Sequence, residues 1–174
     1  ELSADYFLET YRGKSVPDCI LMITDELSVL PEWKPLSDAE RADRGAQFWR
    51  KVQLQTLEMC KQKLEPVKGV MAVLDYLRDQ QIPFCVASNG KHEKMQVTLA
   101  VTGILPYVQD RIFSFEDVTR GKPAPDLFLH AAKIMGIEPT KAVVVEDSLT
   151  GIRAAVAAGM RPLGYCPPNA NGTD

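Results

Sequence analysis

The chain has few of the residues that build metal clusters, disulfide frameworks or membrane spans. Its 174 residues include two histidines and four cysteines, and no Cys-x-x-Cys pair occurs. A Cys/His zinc site is therefore not expected, and the cysteines are interpreted as reduced thiols of a cytoplasmic protein. The uncharged apolar run at residues 19–23 is far too short to cross a membrane.

Neither sign of charge dominates the sequence: it has 20 Lys and Arg and 23 Asp and Glu, for a net charge of -3. Without a basic surface, nucleic acid is not expected as a partner, and neither is a membrane. The hydrophobic share of 45% is ordinary for a globular protein and excludes disorder as the main interpretation. The composition indicates no particular oligomeric state.

The first 63 residues predict helices only. A capping box at Ser37 and Glu40 begins the longest helix, which is predicted to end near Lys63. This helix is predicted to bury a stripe formed by Phe48, Val52, Gln55 and Met59. Residues 1–63 are therefore interpreted as a helical subdomain, in which Trp33 and Trp49 are expected to pack inside.

From residue 64 onward, short apolar runs alternate with helical patterns. Strands are predicted close to 84–87, 111–114, 142–145 and 162–166, with helices between them. Because these strands show no polar alternation, they predict a parallel sheet that is covered on both faces. Residues 64–174 are therefore interpreted as an α/β domain.

Polar residues occur in three segments of this α/β domain: 88–90, 120–126 and 146–147. Sites in open α/β sheets form at the carboxyl ends of strands, so Ser88, Lys122, Glu146 and Asp147 are expected around one crevice. A hydroxyl, an ammonium and two carboxylates suit phosphoryl transfer with Mg²⁺. Taken singly, these segments are better explained as a turn, a solvated loop and a helix cap; only their joint order on consecutive strand ends favours a site.

Together the three segments resemble the motifs of the haloacid dehalogenase-like hydrolases that carry a helical cap near the N-terminus. Val86–Gly90 resembles the second motif, Gly121–Asp126 the third and Val145–Ile152 the fourth. The resemblance implies a Rossmann-like parallel core, residues 64–174, with an inserted cap, residues 1–63. It implies catalytic roles for Ser88 and Lys122, phosphate binding by Ser88, Asn89, Gly90 and Lys122, and Mg²⁺ binding by Asp147 and Glu146.

The first motif of that family, Asp-x-Asp, is missing, since no Asp-x-Asp occurs in the 174 residues. In the family this motif supplies the nucleophile at the end of the central strand of the sheet. The chain is therefore expected to be a piece of a longer protein, with both subdomains incomplete and the nucleophile upstream of Glu1. A catalytically inactive binding domain is the alternative.

The activity that the resemblance implies is a Mg²⁺-dependent phosphatase of small phosphorylated metabolites, with sugar phosphates as the favoured substrates and an aspartyl-phosphate intermediate. A phosphosugar mutase similar to β-phosphoglucomutase is the alternative within the family. Arg12 and Lys14 fall where the cap loop of such enzymes faces the substrate, although two solvated cations are equally expected there. His92 is expected at a surface position of a helix.

Overall fold

The computed structural model describes Tyr6, Thr10, Tyr11 and residues 16–166. The chain divides into two compact units, Glu1–Gln62 and Lys63–Asp174. No helix in the described part has the length and apolarity that a membrane span requires. The assignment of residues 1–63 to one functional part and of residues 64–174 to the other, with these bounds, stays a prediction.

The described residues of the first unit include the helices α1 (Val16–Ser28) and α2 (Asp38–Lys63). The capping box before α2 is confirmed: the Ser37 N–H and hydroxyl both donate to Glu40 Oε2, at 2.8 and 2.6 Å. Trp33 and Trp49 are both buried, as expected, and the guanidinium of Arg44 lies 5.1 Å from the Trp33 ring centre. The core of the unit is a cluster of Tyr11, Cys19, Ile23 and Trp49.

The stripe predicted for α2 is wrong at Phe48, Gln55 and Met59, which are exposed, whereas Val52 is half-buried as predicted. Phe48 is 39% exposed and Met59 is 60% exposed, whereas Trp49 is buried. The physical reason is Gly45: a Cβ there would overlap the hydroxyl of Thr24 on α1. The glycine permits a close approach of the two helices, which turns the side of α2 that carries Gly45 and Trp49 inward.

The second unit alternates helices and short strands. Its strands are β1 (Val86–Ser88), β2 (Ile112–Ser114), β3 (Val143–Glu146) and β4 (Arg161–Gly164). Its helices are α3 (Val70–Asp79), α4 (His92–Val101), α5 (Leu105–Val108), α6 (Asp126–Met135) and α7 (Leu149–Ala157). Two 3₁₀ turns, Phe115–Asp117 and Pro139–Lys141, precede α6 and β3.

The strands form two parallel pairs. β1 pairs with β2, placing Ser88 opposite Ser114, and β3 pairs with β4, placing Glu146 opposite Gly164. α6 packs against β1, β2 and α7, while α7 packs against β3 and β4. Leu127 of α6 joins a core cluster with Phe113, and its neighbour Phe128 joins a cluster with the alanines of α7. One helix therefore contributes side chains to the cores that pack against both strand pairs.

The prediction of a sheet that is covered on both faces is wrong for β3 within the described residues. Val143 and Val145 are 53% and 69% exposed, whereas Val144 packs against the α6–α7 cluster. The alternation arises because α6 and α7 cover one face of β3 and no described element covers the other. An apolar strand sequence shows that both faces of the strand are able to be buried. It does not show that both faces are covered in the structure.

Candidate active site

The turn after β1 is fixed by two hydroxyls. The Ser88 hydroxyl accepts a hydrogen bond from the Gly90 N–H at 3.0 Å, and the Ser114 hydroxyl donates to the Gly90 carbonyl at 2.7 Å. Ser114 is completely buried and stands opposite Ser88 in the strand register. Parallel pairing of β1 with β2 thus places a buried hydroxyl under the turn that carries Asn89.

Lys122 lies in the segment before α6 and reaches the end of β3. Its Nζ is 2.8 Å from Glu146 Oε2, and the two side chains are 8% and 12% exposed. The same ammonium lies 4.9 Å from the ring centre of Phe128. A nearly buried ion pair is costly to break from one side, because the remaining charge is left without a partner in a medium of low dielectric constant.

Glu146 is held at both carboxylate oxygens. While Oε2 meets Lys122, Oε1 accepts a hydrogen bond from the Ser148 hydroxyl at 2.6 Å. The Ser148 hydroxyl in turn accepts from the Gly151 N–H at 3.1 Å and so caps the N-terminus of α7. A Cβ at Gly151 would overlap the Glu146 side chain. The absence of a side chain at Gly151 therefore leaves the space that the Glu146 carboxylate occupies.

Asn89 connects the β1 turn to the lysine segment. Its Nδ2 donates to the Lys122 carbonyl, and its Oδ1 accepts from the Lys122 N–H, both at 2.9 Å. The segment itself is closed by Arg120, whose guanidinium donates twice to the Asp126 carboxylate, at 3.0 and 2.9 Å. Three stretches that are far apart in sequence, around residues 89, 122 and 146, are therefore in contact.

The structure brings most of the predicted site residues together. Asn89 contacts Lys122, Lys122 contacts Glu146, and Ser88 and Gly90 adjoin Asn89 in one turn. Asp147 directly follows Glu146 at the end of β3. Arg12 and Lys14, the predicted substrate contacts, lie outside the described residues. The catalytic and binding roles of all these residues stay predictions.

His92 begins α4 and pairs with an acid of the turn after β2. Its Nε2 lies 2.8 Å from Asp117 Oδ1, and the side chain is 41% exposed, as expected for a surface position. Burial by itself would raise the pKa of Asp117. Hydrogen bonds from His92 and from the Ser114 N–H outweigh that effect and hold the pKa of Asp117 below its ordinary value.

Sequence reasoning missed three supporting residues: Phe128 beside the lysine ammonium, Gly151 beside Glu146, and Ser114 under the β1 turn. Gly151 carried a usable signal, because a glycine three residues after the capping Ser148 marks a close approach at the start of a helix. Phe128 and Ser114 looked like ordinary core positions, since nothing in their local sequence shows which loop packs above them.

The acidic residues at the end of β3 provide only part of a metal site. Among the described residues, no group of three or more His, Cys, Asp or Glu side chains is placed to hold a metal ion. Asp147 offers a carboxylate of the type that Mg²⁺ prefers. Glu146 already accepts one hydrogen bond at each carboxylate oxygen, from Lys122 and from Ser148, so a metal would use a remaining lone pair of one of these oxygens.

Comparison with known proteins settles the family. A sequence model of the haloacid dehalogenase-like hydrolases matches residues 5–159, which is most of the chain. The chain belongs to this family. The resemblance drawn from the three motifs is thereby confirmed, and so is the α/β fold class with a helical cap. Hydrolases of this family are generally Mg²⁺-dependent.

Several relatives of this chain carry phosphatase names. It is 36% identical over 104 residues to 6-phosphogluconate phosphatase of Escherichia coli, covering 60% of this chain and 46% of that protein. It is 29% identical over 133 residues to hexitol phosphatase A of the same organism, covering 76% and 60%. A solved haloacid dehalogenase-like protein from Agrobacterium tumefaciens, of unknown function, matches with a TM-score of 0.66 and 30% identity, covering 93% of this chain and 67% of that one. The chain thus spans only 46–60% of these two curated relatives.

Proposed function

We propose that this chain is part of a Mg²⁺-dependent phosphatase that hydrolyses small phosphorylated metabolites, with sugar phosphates as the substrate class. The observation that carries the proposal is the contact of Lys122 with Glu146 at the end of β3, linked through Asn89 to the turn after Ser88. The phosphatase names of the two curated relatives support the substrate class. A cytoplasmic location, expected from the cysteines, stays a prediction.

Ser88 and Lys122 would hold the phosphoryl group. The Ser88 hydroxyl accepts from the Gly90 N–H, and its own proton can donate to a phosphoryl oxygen. The Lys122 ammonium has three N–H donors, of which one meets Glu146, so the others can hold oxygens that gain negative charge. Donors that are already fixed stabilise such charge without reorganising during the reaction.

Asp147 would be a ligand of the Mg²⁺ ion, which when bound neutralises charge on the phosphoryl oxygens. Glu146 is proposed as a second ligand or as a contact through water. The aspartate that forms the aspartyl-phosphate would come from outside these 174 residues, because they contain no Asp-x-Asp. The reading frame upstream of Glu1 tests this point: an apolar strand followed by Asp-x-Asp supports it, and a frame without one supports an inactive binding domain.

The test of function uses the protein translated from the whole reading frame. We expect it to release inorganic phosphate from sugar phosphates only when Mg²⁺ is present, and EDTA to abolish the release. We expect Asp147→Asn to abolish Mg²⁺-dependent release and to weaken Mg²⁺ binding measured by calorimetry. Lys122→Ala should lower turnover by about 10²- to 10³-fold, the scale for loss of a donor to developing charge.

The matched control is Glu138→Gln, because Glu138 is an exposed acid that pairs with Lys141 away from β1 and the end of β3. It should release phosphate at the wild-type rate. Full activity of Asp147→Asn at saturating Mg²⁺ would refute the ligand assignment. Conversion of a phosphosugar to its isomer without release of phosphate would assign the mutase activity instead.

A further inference from the structure

The Asn89 side chain forms hydrogen bonds with both backbone polar groups of one residue, Lys122. One amide nitrogen and one amide oxygen meet the Lys122 carbonyl and N–H, each at 2.9 Å. A planar amide that donates and accepts in this way copies the pairing between two strands. It fixes the position and also the orientation of the lysine backbone. We propose that Asn89 is a positioning residue for the Lys122 ammonium, an inference that rests on the proposed function.

Gly121 is shaped to admit the Asn89 amide. A Cβ at Gly121 would lie 2.7 Å from Asn89 Oδ1 and 3.2 Å from the Phe115 Cβ, distances that real Cβ atoms do not reach without a shift of their neighbours. The Asn89 amide is exposed, so its bonds to Lys122 compete with water. Because Gly121 has no side chain, the Asn89 amide can approach the Lys122 backbone closely enough to form these bonds in spite of that competition.

The lysine side chain needs this support because it is long and flexible. At its far end the ammonium is held by Glu146 at 2.8 Å and by the Phe128 ring at 4.9 Å. Among the described residues, Asn89 is the one side chain that forms hydrogen bonds with the backbone of Lys122. A catalytic donor must be held to within a fraction of an ångström, and a displacement of about 1 Å can cost 10²-fold in rate.

Asn89 also sets the spacing between two predicted phosphate-binding groups. It directly follows Ser88, whose hydroxyl is fixed by the Gly90 N–H, and the Gly90 carbonyl is held by Ser114. The two bonds from Asn89 therefore tie a rigid turn to the lysine segment. The Arg120–Asp126 pair closes the same segment but does not touch the Lys122 backbone. Arg120→Gln is thus a matched control for general loosening of the segment.

The experiment compares Asn89→Ala, Gly121→Ala and Arg120→Gln in the protein translated from the whole reading frame. The first readout is hydrogen exchange at the Lys122 amide. It should be about tenfold faster in Asn89→Ala, as for the loss of one hydrogen bond. Gly121→Ala should reproduce this effect because its Cβ displaces the Asn89 amide, whereas Arg120→Gln should leave it unchanged. Amides of β1 and β2 should exchange at the wild-type rate in all three.

The second readout is the release of inorganic phosphate. Asn89→Ala and Gly121→Ala should lower kcat by about 10- to 100-fold with little change in KM, because a displaced donor fails mainly in the transition state. Wild-type exchange at Lys122 in Asn89→Ala would overturn the inference. So would faster exchange with an unchanged kcat. If the wild-type protein releases no phosphate, the proposed function fails on its own, while exchange still decides whether Asn89 holds Lys122.

Discussion

At the scale of single residues, the absence of a side chain at Gly151 decides where Glu146 can lie. A Cβ at Gly151 would overlap the Glu146 side chain, which meets both Lys122 and Ser148. Two effects oppose each other in Gly151→Ala. Alanine favours the helix by about 1 kcal/mol, but displacing Glu146 leaves a nearly buried Lys122 unpaired, which costs about 3–5 kcal/mol.

We therefore expect Gly151→Ala to lower the free energy of unfolding by about 2–4 kcal/mol, the difference between those two effects. Urea denaturation followed by circular dichroism measures it. Gly164→Ala is the control, because a Cβ at Gly164 meets nothing within 4 Å. Equal stability of Gly151→Ala and wild type would show that Glu146 can leave Lys122 without cost.

Residue types and their order along the chain were enough to name Ser88, Lys122 and Glu146 as neighbours. The direct contact of Lys122 with Glu146 was not predictable, because it depends on the path of the segment before α6. Asn89 was named as a phosphate-binding residue, but the contact of its side chain with Lys122 was not predictable, for the same reason. Its partners are 33 residues away, and a local Ser-Asn-Gly pattern describes only a turn.

At the scale of elements, the turn after β2 is held by an acid whose ionised form is favoured. Asp117 accepts from the Ser114 N–H at 2.7 Å and pairs with His92, which begins α4. Burial opposes the charge of Asp117, but these hydrogen bonds hold its pKa below the ordinary value. In the window below about 3.9, the usual pKa of an aspartate, the unfolded chain therefore binds more protons than the folded one.

It follows that the contribution of Asp117 to stability is present above about pH 3.9 and is lost as the pH falls through its folded-state value. We expect Asp117→Asn to melt at a lower temperature than wild type at pH 6, with a difference that shrinks as the pH falls below 4. Thermal melts over this range measure it. Asp110→Asn, at an exposed acid, should show no such trend. A constant difference across the whole range would contradict the role of the Asp117 charge.

Helices were predicted more accurately than strands. The start of α2 predicted from the Ser37 capping box and its end predicted near Lys63 both match the structure, Asp38–Lys63. The strand predictions fall within about two residues of β1 to β4. How the strands pair was not predictable from local sequence, since apolar runs carry no information about their neighbours.

At the scale of the whole molecule, the two units can be observed separately. Both tryptophans, Trp33 and Trp49, belong to the first unit, and Leu127 is completely buried in the second. Leu127→Ala removes a buried side chain and should cost the second unit about 2–5 kcal/mol. Because each core cluster of the described residues consists of residues of one unit, we expect the units to unfold in separate transitions.

Leu127→Ala should therefore lower the melting temperature seen by circular dichroism and leave the tryptophan fluorescence transition in place. Leu129→Ala, at a 40% exposed position of the same helix, is the control and should change neither transition by much. A shift of the fluorescence transition equal to that of the dichroism transition would show that the two units unfold as one.

The outward valines of β3 have a practical consequence for handling these residues as an isolated polypeptide. Val143 and Val145 face water, and Leu163 of the paired β4 is 43% exposed beside them. Within the described residues each strand pair also has two free edges, which offer unbonded amides and carbonyls. An exposed apolar strand face next to unpaired strand edges allows separate molecules to pair strand against strand. We therefore expect concentrated samples of the isolated polypeptide to aggregate through β3 and β4.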